Sequence, residues 1–490
     1  MTEALTEEFD VEYDLVVVGG GGSGMSCAVQ AGHNGLTVAV LEKMPTLGGS
    51  SSFAEGHAAF ESDEQEKRGI HVSKDEAFQG YIDYSHWRAD ASVVSRFVEN
   101  ANKTIVKMRN EGAVYEEVIT TAPDQPDELV TWHIPKGEVA HVIDLLEASA
   151  RSMGVEIFLQ TSAKQMLMKD GKIVGVVAED ADGQPVRIGA KAVVVGTGGY
   201  ASNPEMLNKF TKFGCGDQII NIGNPGNTGD GLNMMFDVGA QPFESIGTTL
   251  LMPLMRGKTV TSHTNTAGFQ PYLWVNRDGR RCTNEICGLN FGNAGDVVAG
   301  LPGSFYWSVI DQAQIDHLVD DGCEVGLGIY VRTGEKLVNL PTELESDVEA
   351  GLSAFKGDTI EDLATAIGVD PAVLAAEIAE YNTLCHAGKD TKFHKAKYLL
   401  AVEKGPFYAI KMEPGIMVTM GGIKINDNMQ VIGADGKPIE GLYSVGCDAG
   451  GLFGESYILT IPGSANGFAL TSGWLAADHA TAAIRQNVDA

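Results

Sequence analysis

Tyr13-Asp14-Leu15-Val16-Val17-Val18-Gly19-Gly20-Gly21-Gly22-Ser23-Gly24 is the stretch that decides the fold of this chain. Leu15 to Val18 reads as a buried parallel strand, and Met25 to Gly32 as the helix that follows it. Between them, Gly19, Gly21 and Gly24 make a tight turn, let backbone amides approach a pyrophosphate, and pack helix against strand. A helix N-terminus then holds phosphate through its dipole and unpaired N–H groups. The second strand, Thr37-Val38-Ala39-Val40-Leu41, ends at Glu42, eighteen residues beyond Gly24, where a carboxylate suits an adenosine ribose hydroxyl. The glycine pattern alone is a weak signal. Strand, helix and acid together point to a bound dinucleotide.

Which dinucleotide is decided just downstream. Lys43-Met44-Pro45-Thr46-Leu47-Gly48-Gly49-Ser50-Ser51 places a Gly-Gly-Ser loop where flavoproteins reach the pyrophosphate and flavin. A nicotinamide dehydrogenase would instead continue into a third strand–helix unit. Further on, Ala192-Val193-Val194-Val195-Gly196-Thr197-Gly198-Gly199 is a strand entering a glycine turn. It resembles the turn that closes the back of the FAD site in two-dinucleotide-binding-fold flavoproteins. Either loop alone reads equally as an ordinary βα turn; in this order they favour FAD.

The 490 residues exceed what one hydrophobic core usually organises, so two or more domains are expected. A formal net charge of −30 argues against nucleic acid or an anionic membrane as partner and suits a self-repelling, soluble surface. The amino terminus, Met1 to Asp10, is acidic without an apolar core, which reads as no secretory signal, and no apolar run is long enough to span a bilayer. Cys27, Cys215, Cys282, Cys287, Cys323, Cys385 and Cys447 are scattered, with no Cys-x-x-Cys spacing for iron–sulfur, zinc or c-type haem. A reduced, cytoplasmic protein is expected, with no metal.

The pattern along the chain predicts an α/β protein: a Rossmann-like FAD-binding domain interrupted by an inserted α+β capping domain. The expected division is 1–244 for the first part of the FAD domain, 245–404 for the capping, substrate-binding domain, and 405–490 for the second part. Gly137 to Gly154 reads as an amphipathic helix leading into a strand at Val155-Glu156-Ile157, and Lys172–Glu179 with Pro185–Ile188 as a hairpin. Asn224 to Gly231 is a loop opening a helix, and Asp370 caps another whose first residue is Pro371. Strands are expected again at Gly422–Ile425 and Gly441–Gly446, then a final helix from about Ala465 to Arg485.

The order of these motifs resembles the flavoprotein family of soluble fumarate reductases, succinate dehydrogenase flavoprotein subunits and 3-ketosteroid Δ1-dehydrogenases. The likeness covers nearly the whole chain and includes Thr228–Gly231, Asn276–Glu285, Leu363–Pro371, Thr419–Gly422 and Gly441–Gly446. It implies non-covalent FAD, since no histidine stands beside Gly48–Ser51, with the substrate between FAD domain and cap. It extends the cofactor set to Gly22, Ser23, Lys43, Ala163, Asp230 and Gly446, with Asp448 beside the ribityl chain.

The family's dicarboxylate clamp is missing. Where fumarate reductases carry an Arg-Asp pair after Asn-Glu, this chain has Leu289-Asn290. Where they carry histidines before Thr-Met-Gly-Gly it has Met417-Val418, and where they carry Asn-Arg it has Ser456-Tyr457. Recognising a dicarboxylate needs cations that match carboxylate geometry. Tyr457 stands near where ketosteroid dehydrogenases place a tyrosine beside the substrate carbonyl, at a different spacing to Pro462-Gly463. A phenol there donates a proton or orients an oxygen, unless it is a core tyrosine with a satisfied hydroxyl. Tyr272, Glu285 and His263 are further proton-carrier candidates in the capping segment; His57, His86 and His133 carry less weight.

The expected function is therefore reduction of a small, neutral phenolic or alicyclic substrate by hydride from flavin N5. Phe9–Asp14 and Ala58–Ser62 resemble family members of isoflavone metabolism, which implies reductive loss of a benzylic hydroxyl from a flat diphenol. A ketosteroid dehydrogenase or enone reductase, and a flavin-binding protein without reductase chemistry, stay open as alternatives. No second glycine fingerprint for a nicotinamide appears, so a separate electron donor is expected.

Overall fold

A computed structural model describes residues 8–121, 127–212 and 218–488. The first residues of the acidic amino terminus and Cys215 lie outside these. Among the described residues, the strands gather into three sheets. The largest runs Gln430–Ile432, Pro438–Ser444, Lys172–Glu179, Pro185–Val195, Val11–Val18, Val38–Leu41 and Glu156–Phe158, with Ser162–Lys169 added beside Lys172–Glu179. Val11–Val18 lies parallel to both neighbours, with Val16 opposite Ala39 on one side and Val193 on the other.

This strand is apolar at every position from Leu15 to Val18 because both faces are covered. Leu15 and Val17 pack with the helix Gly22–His33 and the last helix, Ser464–Val488, while Val16 and Val18 pack with Met166, Val176, Leu232 and Met235 on the other side. All four are at most 3% exposed. Each fully buried side chain of this size is worth about 1.5–3 kcal/mol. The expected hairpin forms: Lys172–Glu179 pairs antiparallel with residues 185–189 of Pro185–Val195, and residues 188–195 of that strand lie parallel to Val11–Val18 on its other side.

The second sheet is built on one long strand, Phe407–Thr419. Residues 407–412 pair with Tyr306–Asp311, and residues 413–419 with Thr249–Leu254. Pro414, which has no N–H to give, falls just after this change of partner. The second sheet and the helices packed on it, called the second unit below, thus take their central strand from beyond residue 404, and the short strand Ile220–Asn221 joins from before 245. Helices cover its two faces with separate cores, around Tyr306, Ile410 and Met412 on one and Leu273, Val309 and Leu374 on the other.

Gly422–Ile425 forms only isolated bridges, not the expected strand. The Ile423 N–H goes to Asp448 O (2.7 Å) and the Lys424 N–H to Gln241 O (2.8 Å), so the segment crosses between neighbours and follows neither. The third sheet, His57–Ala58, Trp132–Pro135 and Tyr115–Ile119, stands beside the last helix. Asp370 caps its helix as expected, accepting from Ala372 N at 2.9 Å with Pro371 in the first turn. No helix of the described residues is long and apolar enough to cross a membrane.

Candidate active site

The carboxyl ends of the central parallel strands open into a cleft of about 740 Å³. Val18 ends one strand and Leu41 the next, and the three glycine loops converge between them. Gly19 has φ +104°, and a β-carbon there would strike Gly196 O. One at Gly24 would strike Gly19 O, so only glycine lets helix and strand approach this closely. Gly48 N donates to Gly20 O at 2.9 Å, joining the first two loops. The helix Gly22–His33 begins with no side chain capping it, which leaves its first amides to a ligand.

Gly19, Gly21, Gly22, Ser23, Glu42, Lys43, Gly49, Ser50, Ser51, Ala163, Thr197, Gly198 and Asp230 all line this cleft. Glu42 Oε2 accepts from Gly20 N (2.8 Å) and Oε1 from Met44 N (2.7 Å), which fixes the carboxylate at the strand end. Lys43 and Asp230 pair with each other at 2.5 Å, with Thr228 Oγ1 at 2.6 Å from the ammonium. Gly24, Gly48, Gly199, Gly446 and Asp448 stand behind the lining. Asp448 is fully buried; it accepts from the Thr197 N–H, from Thr197 Oγ1 (2.8 Å) and from Gly199 N (2.8 Å), and burial raises its proton affinity against those bonds. It locks the third glycine turn, and its neighbour Cys447 faces the cleft instead. Sequence reasoning missed Thr161, Asn224, Asn227 and Met44, which present no motif beyond a loop composition.

A second cavity, of about 1130 Å³, adjoins the first: Ser50, Ser51, Cys447 and Ala469 line both. Its walls come from the third sheet (Trp132), the second (Leu250, Met417, Val418), the turn at Leu327–Tyr330 and the loop before the last helix (Tyr457, Leu459, Pro462). Among the described residues lining it there is no lysine, arginine or histidine. Met417, Val418 and Tyr457, three of the replacements for the family's charged residues, are in its wall, whereas Leu289 packs in the second unit's core. Arg256 is held by Glu413 (3.0 Å) and Arg281 by Glu285 (2.6 Å), so neither faces the cavity.

Tyr457 is 5% exposed and packs on Phe453. Its oxygen lies 3.5 Å from Ala465 N, in the first turn of the last helix. Burial pushes the phenol up to about 12, while the amides of Ala465 and Ser464 work in the opposite direction. An oxygen that accepts from backbone keeps its own proton for a ligand, and the helix start stabilises the phenolate left behind.

Tyr272 and Glu285 are not brought to either cavity. Tyr272 donates to Glu324 Oε2 (2.6 Å) within the second unit's core. Glu285 is fully buried between Arg281 (2.6 Å) and Lys395 (3.3 Å); Arg281 also pairs with Asp390 (2.8 Å). The spacing Arg281-x-x-x-Glu285 makes this an ion pair within the chain's own core, a role that residue type alone does not reveal. His57 and His133 face each other across the third sheet, bonded to Tyr115 OH and Ser62 Oγ (both 2.6 Å). His263 accepts from Asn339 N through Nδ1 (3.0 Å), and His86 sits at a turn with φ +50°.

The residues present fit FAD. The glycine-walled cleft leaves backbone amides facing space that no side chain fills. At its junction with the larger cavity the Asn466 side-chain amide is buried with neither oxygen nor nitrogen partnered. A buried amide without partners costs stability unless a ligand satisfies it. Among the described residues, no histidine lines the cleft.

A dinucleotide cradle on a parallel sheet, opening into a cavity walled by a second unit, defines a flavoprotein oxidoreductase. The family of FAD-binding domains matches residues 14–460, and the chain belongs to it. It is similar to the vinyl phenol reductase of Lactiplantibacillus plantarum, with 36% identity over 484 residues, 96% of either chain. A solved flavocytochrome c3 fumarate reductase in its open conformation superposes with a TM-score of 0.74 at 25% identity, covering 97% of this chain and 79% of that one. A 3-ketosteroid Δ1-dehydrogenase from Sterolibacterium denitrificans superposes with a TM-score of 0.79 over 96% of this chain and all of that one; at 20% identity this is a likeness of fold. The protein is an FAD-dependent oxidoreductase of the fumarate reductase and ketosteroid dehydrogenase family.

Proposed function

We propose that this flavoprotein reduces a small neutral phenol, by the reductive loss of the benzylic 4-hydroxyl of tetrahydrodaidzein to give equol. The observation that carries this reading is the larger cavity: mostly apolar, lined by tyrosines and a tryptophan, with no cation among the described residues of its wall, and open to the cofactor cleft. A dicarboxylate would enter it with unpaired charge; a flat diphenol would not. The relative named vinyl phenol reductase supports a phenolic substrate and favours a second reading, reduction of a vinyl side chain para to a phenol.

Both readings meet in one electrophile. A para-phenol that expels a benzylic hydroxide, or gains a proton at the far carbon of its vinyl group, becomes a quinone methide. FAD, when bound and reduced, supplies the hydride such a carbon accepts. The chain's own part is to seat the ring, exclude water and deliver the proton. Leu250, Met417, Val418 and Leu459 wall the ring's space. Tyr457 gives its proton to the departing hydroxide or the vinyl carbon and is recharged from solvent. The electron donor is a separate molecule, and Tyr272 and Glu285 serve the second unit's structure.

Product analysis tests this. Anaerobic protein supplied with a reduced viologen dye should convert tetrahydrodaidzein to equol or 4-vinylphenol to 4-ethylphenol. Conversion of a steroid enone with neither phenol touched would overturn the reading in favour of a ketosteroid enzyme.

A further inference from the structure

Glu55 sits in the wall of the substrate cavity and has no part in the chemistry described so far. It follows the helical turn Gly49–Phe53 that carries Ser50 and Ser51, so its backbone is tied to the cofactor loop. The side chain reaches across to the second unit, where Ile329 N donates to Oε1 at 3.1 Å and the Tyr330 N–H also faces the carboxyl. Gly328, with φ +57°, lies flat against it; a β-carbon there would collide with the carboxyl oxygens. The residue is 7% exposed. Charged or titratable groups facing it are Glu138, Arg332 and the Tyr330 phenol. Arg332 is occupied by Glu117 (3.1 Å), and Tyr330 OH donates to Phe53 O (3.1 Å) and Glu138 (3.3 Å). An acid held by backbone amides, in a cavity whose described lining carries no cation, is an expensive feature for a mere wall.

The geometry points to Glu55 as the general base that takes the phenolic proton of the substrate and returns it at the end of the reaction. This rests on the phenol reading above. A quinone methide forms only when the para oxygen pushes electrons into the ring, and a neutral phenol pushes weakly. The phenolic O–H bond breaks and its proton bonds to Glu55. The oxygen's electron pair enters the ring and expels the benzylic hydroxide, which takes the Tyr457 proton and leaves as water. Once the ring-external carbon has accepted hydride, with both its electrons, the regained phenolate recovers its proton from Glu55. The net change is one hydride and one proton consumed and one water released. For a vinyl phenol the same phenolate drives protonation of the far carbon, with no water lost.

An ordinary carboxylate, near 4.3, is a poor acceptor for a phenol proton near 10. Burial of Glu55, together with Glu138, pushes its carboxyl up to about 8 against the two amides and Arg332. That brings base and phenol to within about 2 units, where general-base transfer becomes effective.

Glu55→Gln keeps the side chain's length and its acceptor for Ile329 N–H. FAD content and melting temperature at pH 7 should match the parent. Reoxidation of the anaerobically photoreduced variant by 4-vinylphenol or tetrahydrodaidzein should slow by about 10²-fold or more. The parent's rate should rise with pH through about 8 and the variant's should lose that rise. The substrate's O-methyl ether, with no proton to give, should be slow in the parent and no slower in the variant. Should the variant lose its flavin, the ether comparison in the parent decides alone, and an ether as fast as the phenol overturns the assignment. An unchanged rate, or a slowed rate with the pH profile intact, also overturns it and leaves Glu55 as a staple between the two units. A parent that reduces neither phenol overturns the function itself, and this assignment with it.

Discussion

In the proposed mechanism Tyr457 carries the proton, and its surroundings make the claim testable at a single atom. Tyr457→Phe keeps the ring against Phe453 and removes only the hydroxyl. The flavin spectrum and melting temperature should barely change, and substrate-driven reoxidation should slow by about 10²–10⁴-fold. A phenylalanine variant as fast as the parent would make the phenol a wall of the cavity. Buried histidines set a different expectation. Burial holds His57 down to about 3 and His133 down to about 4, so both stay neutral in the folded chain below the pH at which they protonate when unfolded. Below about 6.5 the unfolded chain binds more protons, and stability falls as pH drops toward 4. Each such histidine contributes roughly 1.4 kcal/mol per pH unit in that window. The fall in melting temperature between pH 7 and pH 4 should be shallower in His57→Gln; an equal slope would mean the site opens to water. Tyr457 was legible as a replacement within a family pattern. Glu55 was not, because a lone acid after Ser-Phe-Ala has no spacing to mark it until the turn at Gly328–Tyr330 folds onto it.

At the scale of elements, the buried ion cluster of the second unit separates structure from catalysis. Removing one partner of such a cluster leaves uncompensated charge, at a cost of about 3–5 kcal/mol. Glu285→Gln leaves Lys395 without its carboxylate and Arg281 with Asp390 alone, and should lower the melting temperature sharply, while the folded fraction keeps its flavin and its turnover. Turnover lost with stability retained would return Glu285 to the chemistry. Elements with local signals were readable: the first strand and helix, the hairpin at 172–188, and the Asp370 cap with Pro371. Phe407–Thr419 was not, since Pro414-Gly415 reads as a break within an apolar run. Only its partners, which change beside the proline, show that the strand continues.

The whole molecule places a cofactor cradle on one sheet and, adjoining it, a largely apolar cavity walled by the second and third sheets. Family patterns made the cradle visible because glycine turns are local and their chemistry fixed. The cavity was visible only by its losses, Met417, Val418 and Tyr457 standing where charges were expected; Glu55, Trp132 and Tyr330 reach it from strands and loops far apart in sequence. The most direct test is stopped-flow reoxidation of the photoreduced protein under anaerobic conditions, comparing fumarate with tetrahydrodaidzein and 4-vinylphenol. Burying an unpaired carboxylate costs about 3–5 kcal/mol, so a neutral phenol should reoxidise the flavin at least about 10²-fold faster than fumarate. Fumarate matching or outrunning both phenols would contradict the assignment of this cavity to a neutral substrate.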